Sequence, residues 1–232
     1  METSLEVLLF SAASIGFVHT LIGIDHSLPF VVLGRARGWS LRKVWSITFL
    51  CGFGHVLSSV LLGGLGISLG VAIASLEWVE GMRGEIAAWL LIIFGLLYAG
   101  WSFARQRRQQ RHIHSHDGGM VHSHEHGVQD HSHDVKIPAA ATAWSLFIIF
   151  VLGPCEPLIP LLMAPAVSLG PWAVVPVTAV FGFTTIITML VAVTVGFYGF
   201  KLTPLKRLEA HANTLAGLAI ACSGLAIQLL GI

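Results

Sequence analysis

The sequence predicts an all-α membrane protein with six transmembrane helices. Three observations predict this class. First, the chain of 232 residues is 55% hydrophobic and only 11% charged, whereas soluble domains average about 25% charged residues. Second, several apolar runs reach the roughly 20 residues that cross a bilayer. Third, the basic residues collect in alternate loops. This composition excludes an ordinary soluble globular protein.

Six apolar runs are the predicted spans. The first and fourth runs are long and contain glycine, proline and polar residues, so we expect these two helices to be broken. The N-terminus carries Glu2 and Glu6 in place of a basic segment, and we therefore expect the first helix to remain in the mature protein. The spans cover about residues 6–33, 44–75, 86–104, 142–168, 172–199 and 212–231.

The basic residues predict how the spans are oriented. Of the thirteen lysines and arginines, all but Arg83 fall in the first, third and fifth loops. The positive-inside rule places those loops in the cytoplasm and both termini outside a cell membrane. On this interpretation Glu77, Glu80 and Glu85 lie in the short second loop, on the outer face.

The two halves of the chain are predicted to be related. We divide the chain into a first three-helix repeat (1–104), a His-rich cytoplasmic loop (105–137) and a second three-helix repeat (138–232). An odd number of spans in each half makes the repeats inverted, and such transporters place their substrate near the bilayer midplane. The segment "GIDHSLPF" of span one corresponds to "GPCEPLIP" of span four.

The loop 105–137 is rich in histidines at His-x-His spacing, with acidic residues between them. Such tracts bind nickel, cobalt, zinc or copper. The pattern predicts a metal-binding, buffering or gating loop, although binding alone would serve storage or sensing equally well. Eight of the twelve histidines lie here: His112, His114, His116, His122, His124, His126, His131 and His133.

The stretch "HTLIGIDH" places His19, Asp25 and His26 inside the first span. A charged carboxylate at the centre of a membrane helix costs about 2.5–3.5 kcal/mol, so such groups are functional candidates. In a straight helix the two histidines lie about 10 Å apart along the axis, whereas ligands of one metal lie within about 4 Å of each other. Either the segment is broken near Gly23, or the histidines serve successive sites. Asp25 is a ligand, or it accepts the spare imidazole N–H.

Three further intramembrane residues are candidates for the transport path. His55, in "GFGHVLSS" of span two, would complete a set of three imidazoles, and its alternative role is a structural hydrogen bond. Glu156 and Cys155 lie between Pro154 and Pro157 in span four and are weaker candidates. The alternative role of Glu156 is to cap a broken helix, and that of Cys155 is to pack as a buried thiol.

A resemblance is carried by "HTLIGIDH", the basic turn "GRARGWSLRKVW" and the helix "GFGHVLSS". Together they resemble the first third of the urease-accessory-type membrane permeases, a branch of the nickel/cobalt transporter superfamily. The match is close over residues 15–60, and the six-span plan with a central His-rich loop agrees elsewhere. The resemblance implies that His19, Asp25, His26 and His55 handle the metal. The spacer between His19 and Asp25 has five residues, one more than in the better-known nickel permeases.

The sequence thus predicts transport of a divalent transition-metal ion, nickel first and cobalt next, through the His/Asp residues and Glu156. Neutral imidazoles and carboxylates would replace water around the ion, and protons would compete for the same groups. We expect no enzymatic activity and no cofactor. The expected partners are the metal ion and the lipid bilayer, with a cytoplasmic metallochaperone or a second copy of the chain as further candidates, and no nucleic acid.

Three alternatives remain open at the level of sequence. One is an exporter of sulfite or another small anion or thiol compound with the same architecture, in which the intramembrane histidines relay protons. The segment Pro-Cys-Glu-Pro also resembles proline-broken helices of the related thiol-electron and sulfite or amino-acid exporter families. The second is a membrane enzyme or electron carrier with Cys155 as a redox thiol. The third is a membrane-anchored metal sensor that binds metal only at the loop 105–137.

Overall fold

A computed structural model describes residues 4–70, 73–110, 138–199 and 211–230 of the chain. The described part is helical throughout, with short 3-10 turns at Ile24–His26 and Pro171–Ala173. It contains eight α-helices: α1 (Leu5–Ile22), α2 (Leu28–Ala36), α3 (Leu41–Ser68), α4 (Ile73–Gln110), α5 (Ala139–Leu152), α6 (Leu158–Ser168), α7 (Val174–Gly199) and α8 (Ala212–Leu230).

The lengths of the helices confirm an all-α membrane protein. Five helical segments in the described ranges are long and apolar enough to cross a membrane: Leu5–Ile22, Leu41–Ser68, Ile73–Arg107, Pro171–Gly199 and Ala212–Leu230. The predicted fourth span is instead two shorter apolar helices, α5 with 14 residues and α6 with 11. The count of six spans therefore stays a prediction.

Both predicted helix breaks are confirmed. The first lies between Ile22 and Leu28, and the second lies between Leu152 and Leu158. Proline has no N–H to donate and its ring clashes with the preceding turn, which explains why Pro154 and Pro157 end one helix and begin another. Two breaks in apolar segments leave backbone groups that need partners away from water.

The prediction of a loop around residues 76–85 is wrong. Helix α4 begins at Ile73 and continues to Gln110, so Glu77, Glu80 and Glu85 are helical. Glu80 is fully buried and forms an ion pair with Arg83, three residues along the same helix. Because the two charges compensate each other inside the protein, the helix continues through a segment that hydropathy alone assigns to a loop.

The packing of the helices follows one pattern in both halves. Each half consists of a broken helix followed by two continuous ones. Helices α1 and α2 pack on α7, helices α5 and α6 pack on α3, and helix α4 packs on α8. Exchanging the halves leaves this pattern unchanged, as a two-fold relation between repeats requires. The division of the chain into two inverted three-helix repeats stays a prediction.

One end of the helical bundle gathers the basic residues, and we call it the basic end. Arg37 donates to the Tyr98 hydroxyl at 3.1 Å, and Tyr98 donates to Asn213 at 2.8 Å, so the end of α2, the second half of α4 and the start of α8 meet there. Among the described residues, five cationic groups stack on aromatic rings at this end: Arg35 on Phe197, Arg37 on Tyr98, Lys43 on Trp39, Arg105 on Trp101 and Arg107 on Phe103.

Helices α4 and α8 approach each other closely at glycines. A Cβ atom added to Gly217 would lie 2.6 Å from the backbone nitrogen of Ala99 and 2.6 Å from the carbonyl oxygen of Gly95. Small residues at such positions allow membrane helices to pack backbone against backbone. The glycines of α4 and α8 therefore allow these two helices to pack closely.

We predict that Gly217→Ala destabilises the protein while Gly100→Ala does not. The first substitution forces the two backbones apart and should cost about 1–3 kcal/mol, as overpacking does. The second lies on α4 with nothing within 4 Å of the new Cβ, and it gains up to about 1 kcal/mol of helix propensity. Thermal unfolding in detergent micelles measures both, and equal effects of the two substitutions would contradict the packing.

Candidate metal site

The first break is shaped by Gly23. The Gly23 N–H donates to the His19 carbonyl at 3.0 Å and ends α1, and the His26 N–H then donates to the Gly23 carbonyl at 3.1 Å in a 3-10 turn. Helix α2 restarts with Pro29 in its first turn, where proline is well tolerated. A Cβ atom on Gly23 would overlap Nδ1 of His26 and lie 2.8 Å from its Cε1. Only glycine therefore leaves room for this imidazole.

The three membrane histidines meet at this break. The ring centroids of His19 and His26 are 4.9 Å apart, and those of His26 and His55 are 5.3 Å apart. Each residue offers one ring nitrogen, and these three nitrogens lie within 4.8 Å of one another. Of the two geometries left open by the sequence, the bent segment with His55 facing it is confirmed.

The histidine cluster lies near the middle of the bundle. His55 is in the centre of α3, a helix of 28 residues. At 1.5 Å per residue it is about 20 Å from either end of that helix. The site therefore lies far from both ends of a helix that is long enough to cross a membrane.

Hydrogen bonds fix which nitrogen of two rings carries the proton. Nδ1 of His26 is 3.0 Å from a carboxylate oxygen of Asp25, and Nδ1 of His55 is 3.2 Å from the carbonyl oxygen of Phe150. Both oxygens accept, so each Nδ1 donates its hydrogen, and in the neutral ring each Nε2 then keeps a lone pair. Metal-ligating histidines have this arrangement, in which an outer oxygen orients the ring.

The Nε2 atoms of all three histidines are buried and have no hydrogen-bond partner in the described part of the chain. An unpaired buried polar atom costs about 1–3 kcal/mol, which three converging imidazoles would recover by binding one cation. A tetrahedral ion with metal–nitrogen distances of about 2.0–2.1 Å needs nitrogens about 3.4 Å apart. Side-chain shifts of about 1 Å would close the cluster to that size. Three imidazoles suit zinc, copper, iron or nickel chemically.

A cavity of about 790 Å³ leads to the three histidines. Three carboxylates line it, from Asp25, Glu85 and Glu156, and no lysine or arginine does so among the described residues. The cavity also reaches Gln228, which lies fifteen residues, or about 22 Å, along α8 from Asn213. It therefore extends away from the basic end, and its walls favour positive charge.

The other residues that the sequence suggested as metal ligands lie in different environments. Asp25 contacts the His26 ring and is not itself within the three-nitrogen cluster. Glu156 is exposed and lines the cavity. Cys155 is fully buried in an apolar cluster with Val56 and Phe181, and it does not line the cavity. The eight loop histidines from His112 to His133 lie outside the described residues.

Sequence reasoning missed Glu80 and Arg83, which lie beside the second break. Glu80 accepts hydrogen bonds from the Ser59 hydroxyl and from the backbone N–H of Cys155. Arg83 donates to the carbonyl oxygens of residues 151 and 153. The signal that could have found them is a pair of opposite charges at i, i+3 within a segment that continues into an apolar helix.

Comparison with known proteins gives one family. A family model described as the cytochrome C biogenesis protein transmembrane region matches residues 13–226, which is most of the chain. No curated protein and no solved structure matches the chain. The match supports the predicted resemblance at the level of a membrane permease-like family, and it does not single out the nickel/cobalt branch.

We predict that Gly23→Ala displaces the His26 ring and weakens nickel binding at the cluster at least tenfold. The new methyl group would clash with Nδ1 of His26, so the ring must move, and the bond to Asp25 and the approach to His19 and His55 cannot both persist. Competition with a metal-sensitive dye measures the affinity, in a chain whose eight loop histidines are replaced by serine.

Gly64→Ala is the matched control, because it lies on the same helix as His55 and its new Cβ meets nothing within 4 Å. We expect its affinity to equal that of the unmodified chain. Unchanged nickel affinity in Gly23→Ala would contradict the geometry described above.

Proposed function

This chain belongs to the family of cytochrome c biogenesis protein transmembrane regions and is an integral membrane protein, and we propose that it carries a divalent transition-metal ion across the membrane. The ion is nickel first and cobalt next. The protein acts as a permease and not as an enzyme. The observation that carries the proposal is the meeting of three imidazoles at the broken first helix, each with one ring nitrogen within 4.8 Å of the other two and each with a buried, unpartnered Nε2.

The proposed binding step exchanges water for imidazole. An ion that enters the cavity loses part of its hydration shell as His19, His26 and His55 supply nitrogen ligands. The Asp25 carboxylate beside His26 offsets the charge of the ion and holds the ring in its ligating form. We place nickel before cobalt because sites with nitrogen ligands bind Ni²⁺ more tightly than Co²⁺. The resemblance carried by "HTLIGIDH" and "GFGHVLSS" also favours nickel.

The charge of the cavity supports a cation over an anion. Asp25, Glu85 and Glu156 line it, and none of the described lysines and arginines does. An exporter of sulfite or another anion would need positive groups or backbone donors along the same path. The cavity walls would repel such a substrate at every carboxylate.

The architecture that we propose has six spans in two inverted repeats, with the site at their interface. The exchange-symmetric packing of the two halves supports this arrangement. If the basic end is cytoplasmic, as the positive-inside rule indicates, the cavity extends toward the outer face. On this orientation the His-rich loop is on the cytoplasmic side, as the sequence predicts, and would receive imported metal.

A redox function is the second candidate, and the description of the matching family favours it. It requires two thiols that can form a disulfide, with Cα atoms about 4.4–6.8 Å apart. The three cysteines of the chain are free. Cys51 and Cys155 pack in two different apolar clusters, and Cys222 is exposed. This placement favours three separate thiols over a disulfide-forming pair, so we rank the redox function below metal transport.

We predict that His26→Ala abolishes nickel flux into proteoliposomes, with a loss of at least a hundredfold. The substitution removes the central imidazole of the cluster, which contacts both of the others. Radioactive nickel uptake measures the flux, and His211→Ala is the control because His211 is exposed and pairs with Gln106, away from the cluster.

The same vesicles separate the alternatives. Flux of nickel that persists in His26→Ala would overturn the site. Nickel-independent flux of sulfite would establish the anion exporter. Thiol–disulfide exchange across the vesicle membrane that is lost in Cys155→Ser would establish the redox candidate. Nickel binding without any flux would establish the sensor.

We predict that Asp25→Ala weakens nickel binding about 10–100-fold, as loss of an oxygen that orients a ligating histidine does. The His26 ring loses its Nδ1 acceptor and can rotate or adopt the other tautomer. Dye competition measures the affinity, with the loop histidines replaced by serine. Glu77→Ala is the control, because Glu77 is an exposed carboxylate on α4 that does not line the cavity; equal affinities in the two variants would contradict the role of Asp25.

A further inference from the structure

A buried ion pair lies at the second break, and the proposed function does not use it. Glu80 is fully buried, and the side chain of Arg83 is 16% exposed. The two form a direct ion pair one turn apart on α4. A buried ion pair is often no more stabilising than apolar residues of similar volume, and charges in membrane spans mark functional positions. The contacts of the pair show what it could contribute.

The pair binds both sides of the break between α5 and α6. Arg83 donates to the carbonyl oxygens of Val151 at 2.9 Å and Gly153 at 3.2 Å, at the end of α5. Carbonyl groups at a helix end lack partners within the helix, and a positive charge there suits the helix dipole. Glu80 accepts the N–H of Cys155 at 3.0 Å. That N–H belongs to the short link between two prolines that have none.

The same end of α5 orients His55. The carbonyl oxygen of Phe150 accepts the Nδ1 hydrogen of His55 at 3.2 Å. Gly153 lies so near the ring that an added Cβ atom would be 3.4 Å from Nδ1. Arg83 donates hydrogen bonds to the carbonyl groups of Val151 and Gly153, which follow Phe150 by one and three positions. The position of the Phe150 carbonyl thus depends on where Arg83 holds the end of α5.

The pair is also attached to α3, the helix that carries His55. Arg83 donates to the hydroxyls of Ser58 at 2.7 Å and Ser59 at 3.2 Å, and the Ser59 hydroxyl donates to Glu80 at 3.2 Å. Ser58 and Ser59 follow His55 by three and four residues, so they lie one turn away on the same face. The ion pair therefore contacts the support of His55 from two directions.

We propose that Glu80 and Arg83 are a positioning pair, which holds the break between α5 and α6 against α3 so that the Phe150 carbonyl orients His55. The pair itself does not contact the substrate. The inference rests on the proposed function only for its metal readout, because the contacts that define it involve no metal.

The first test needs no metal. In a Cys222→Ser background, maleimide labelling reports on two buried thiols, Cys155 at the break and Cys51 in the other apolar cluster. The double variant Glu80→Gln with Arg83→Gln removes both charges together, so that neither is left buried alone. We expect labelling of Cys155 to accelerate at least tenfold while the labelling of Cys51 is unchanged.

Two further variants sharpen this test. Glu77→Gln is the matched control on the exposed side of α4 and should label like the parent. Arg83→Lys keeps the charge but has fewer and less directional donors, so its labelling rate should fall between those of the parent and the double variant. Unchanged labelling of Cys155 in the double variant would overturn the proposal. Equal acceleration at Cys51 and Cys155 would also overturn it, because the pair would then support the whole bundle.

The second test measures whether His55 is correctly oriented, from the absorption spectrum and affinity of bound Co²⁺. It uses the full chain with the eight loop histidines replaced by serine. We expect the double variant to bind Co²⁺ at least tenfold more weakly than the Glu77→Gln control, with a changed ligand-field spectrum. An identical spectrum and affinity would overturn the positioning role. If the parent binds no Co²⁺, the proposed function fails, and the labelling experiment still decides on the ion pair.

Discussion

The loss of regular α-helical hydrogen bonding at Gly23 is the constraint on which the site depends. A continuous helix would hold His19 and His26 about 10 Å apart along its axis, whereas the bent segment brings their ring centroids to 4.9 Å. In an apolar bilayer such a bend is tolerated only if the freed backbone groups find partners. The 3-10 turn supplies them, with His26 N–H bonded to the Gly23 carbonyl and Ser27 N–H to the Ile24 carbonyl.

Helix α3 contacts both helix breaks and supplies the third histidine of the site. It presents His55 to the first break, and one turn later it binds the ion pair beside the second break. Close approach is possible because glycines face these contacts: a Cβ on Gly54 would lie 2.8 Å from Val151, and one on Gly84 would lie 2.9 Å from Pro154. The imidazole cluster, the bent helices and the cavity with its carboxylates thus form one connected arrangement in the interior of the bundle.

Much of this arrangement could be predicted from the sequence, and the remainder could not for physical reasons. Gly23 and the prolines of span four predict the breaks because their backbone chemistry interrupts helices. Histidines and a carboxylate inside an apolar run predict the site because their burial is costly. The continuation of α4 through Glu80 and Arg83 was missed, since hydropathy counts two compensated charges as polar. The Phe150 carbonyl that orients His55 has no side-chain signature at all.

The central claim is that His19, His26 and His55 bind one metal ion together. X-ray absorption spectroscopy at the nickel edge tests it most directly, on the protein loaded with one equivalent of Ni²⁺ and with the eight loop histidines replaced by serine. The geometry predicts three imidazole nitrogens around the metal at about 2.0–2.1 Å, the distance usual for metal–imidazole bonds, and one imidazole fewer in His55→Ala. A nickel ion without imidazole ligands, or a protein that retains no nickel, would contradict the claim.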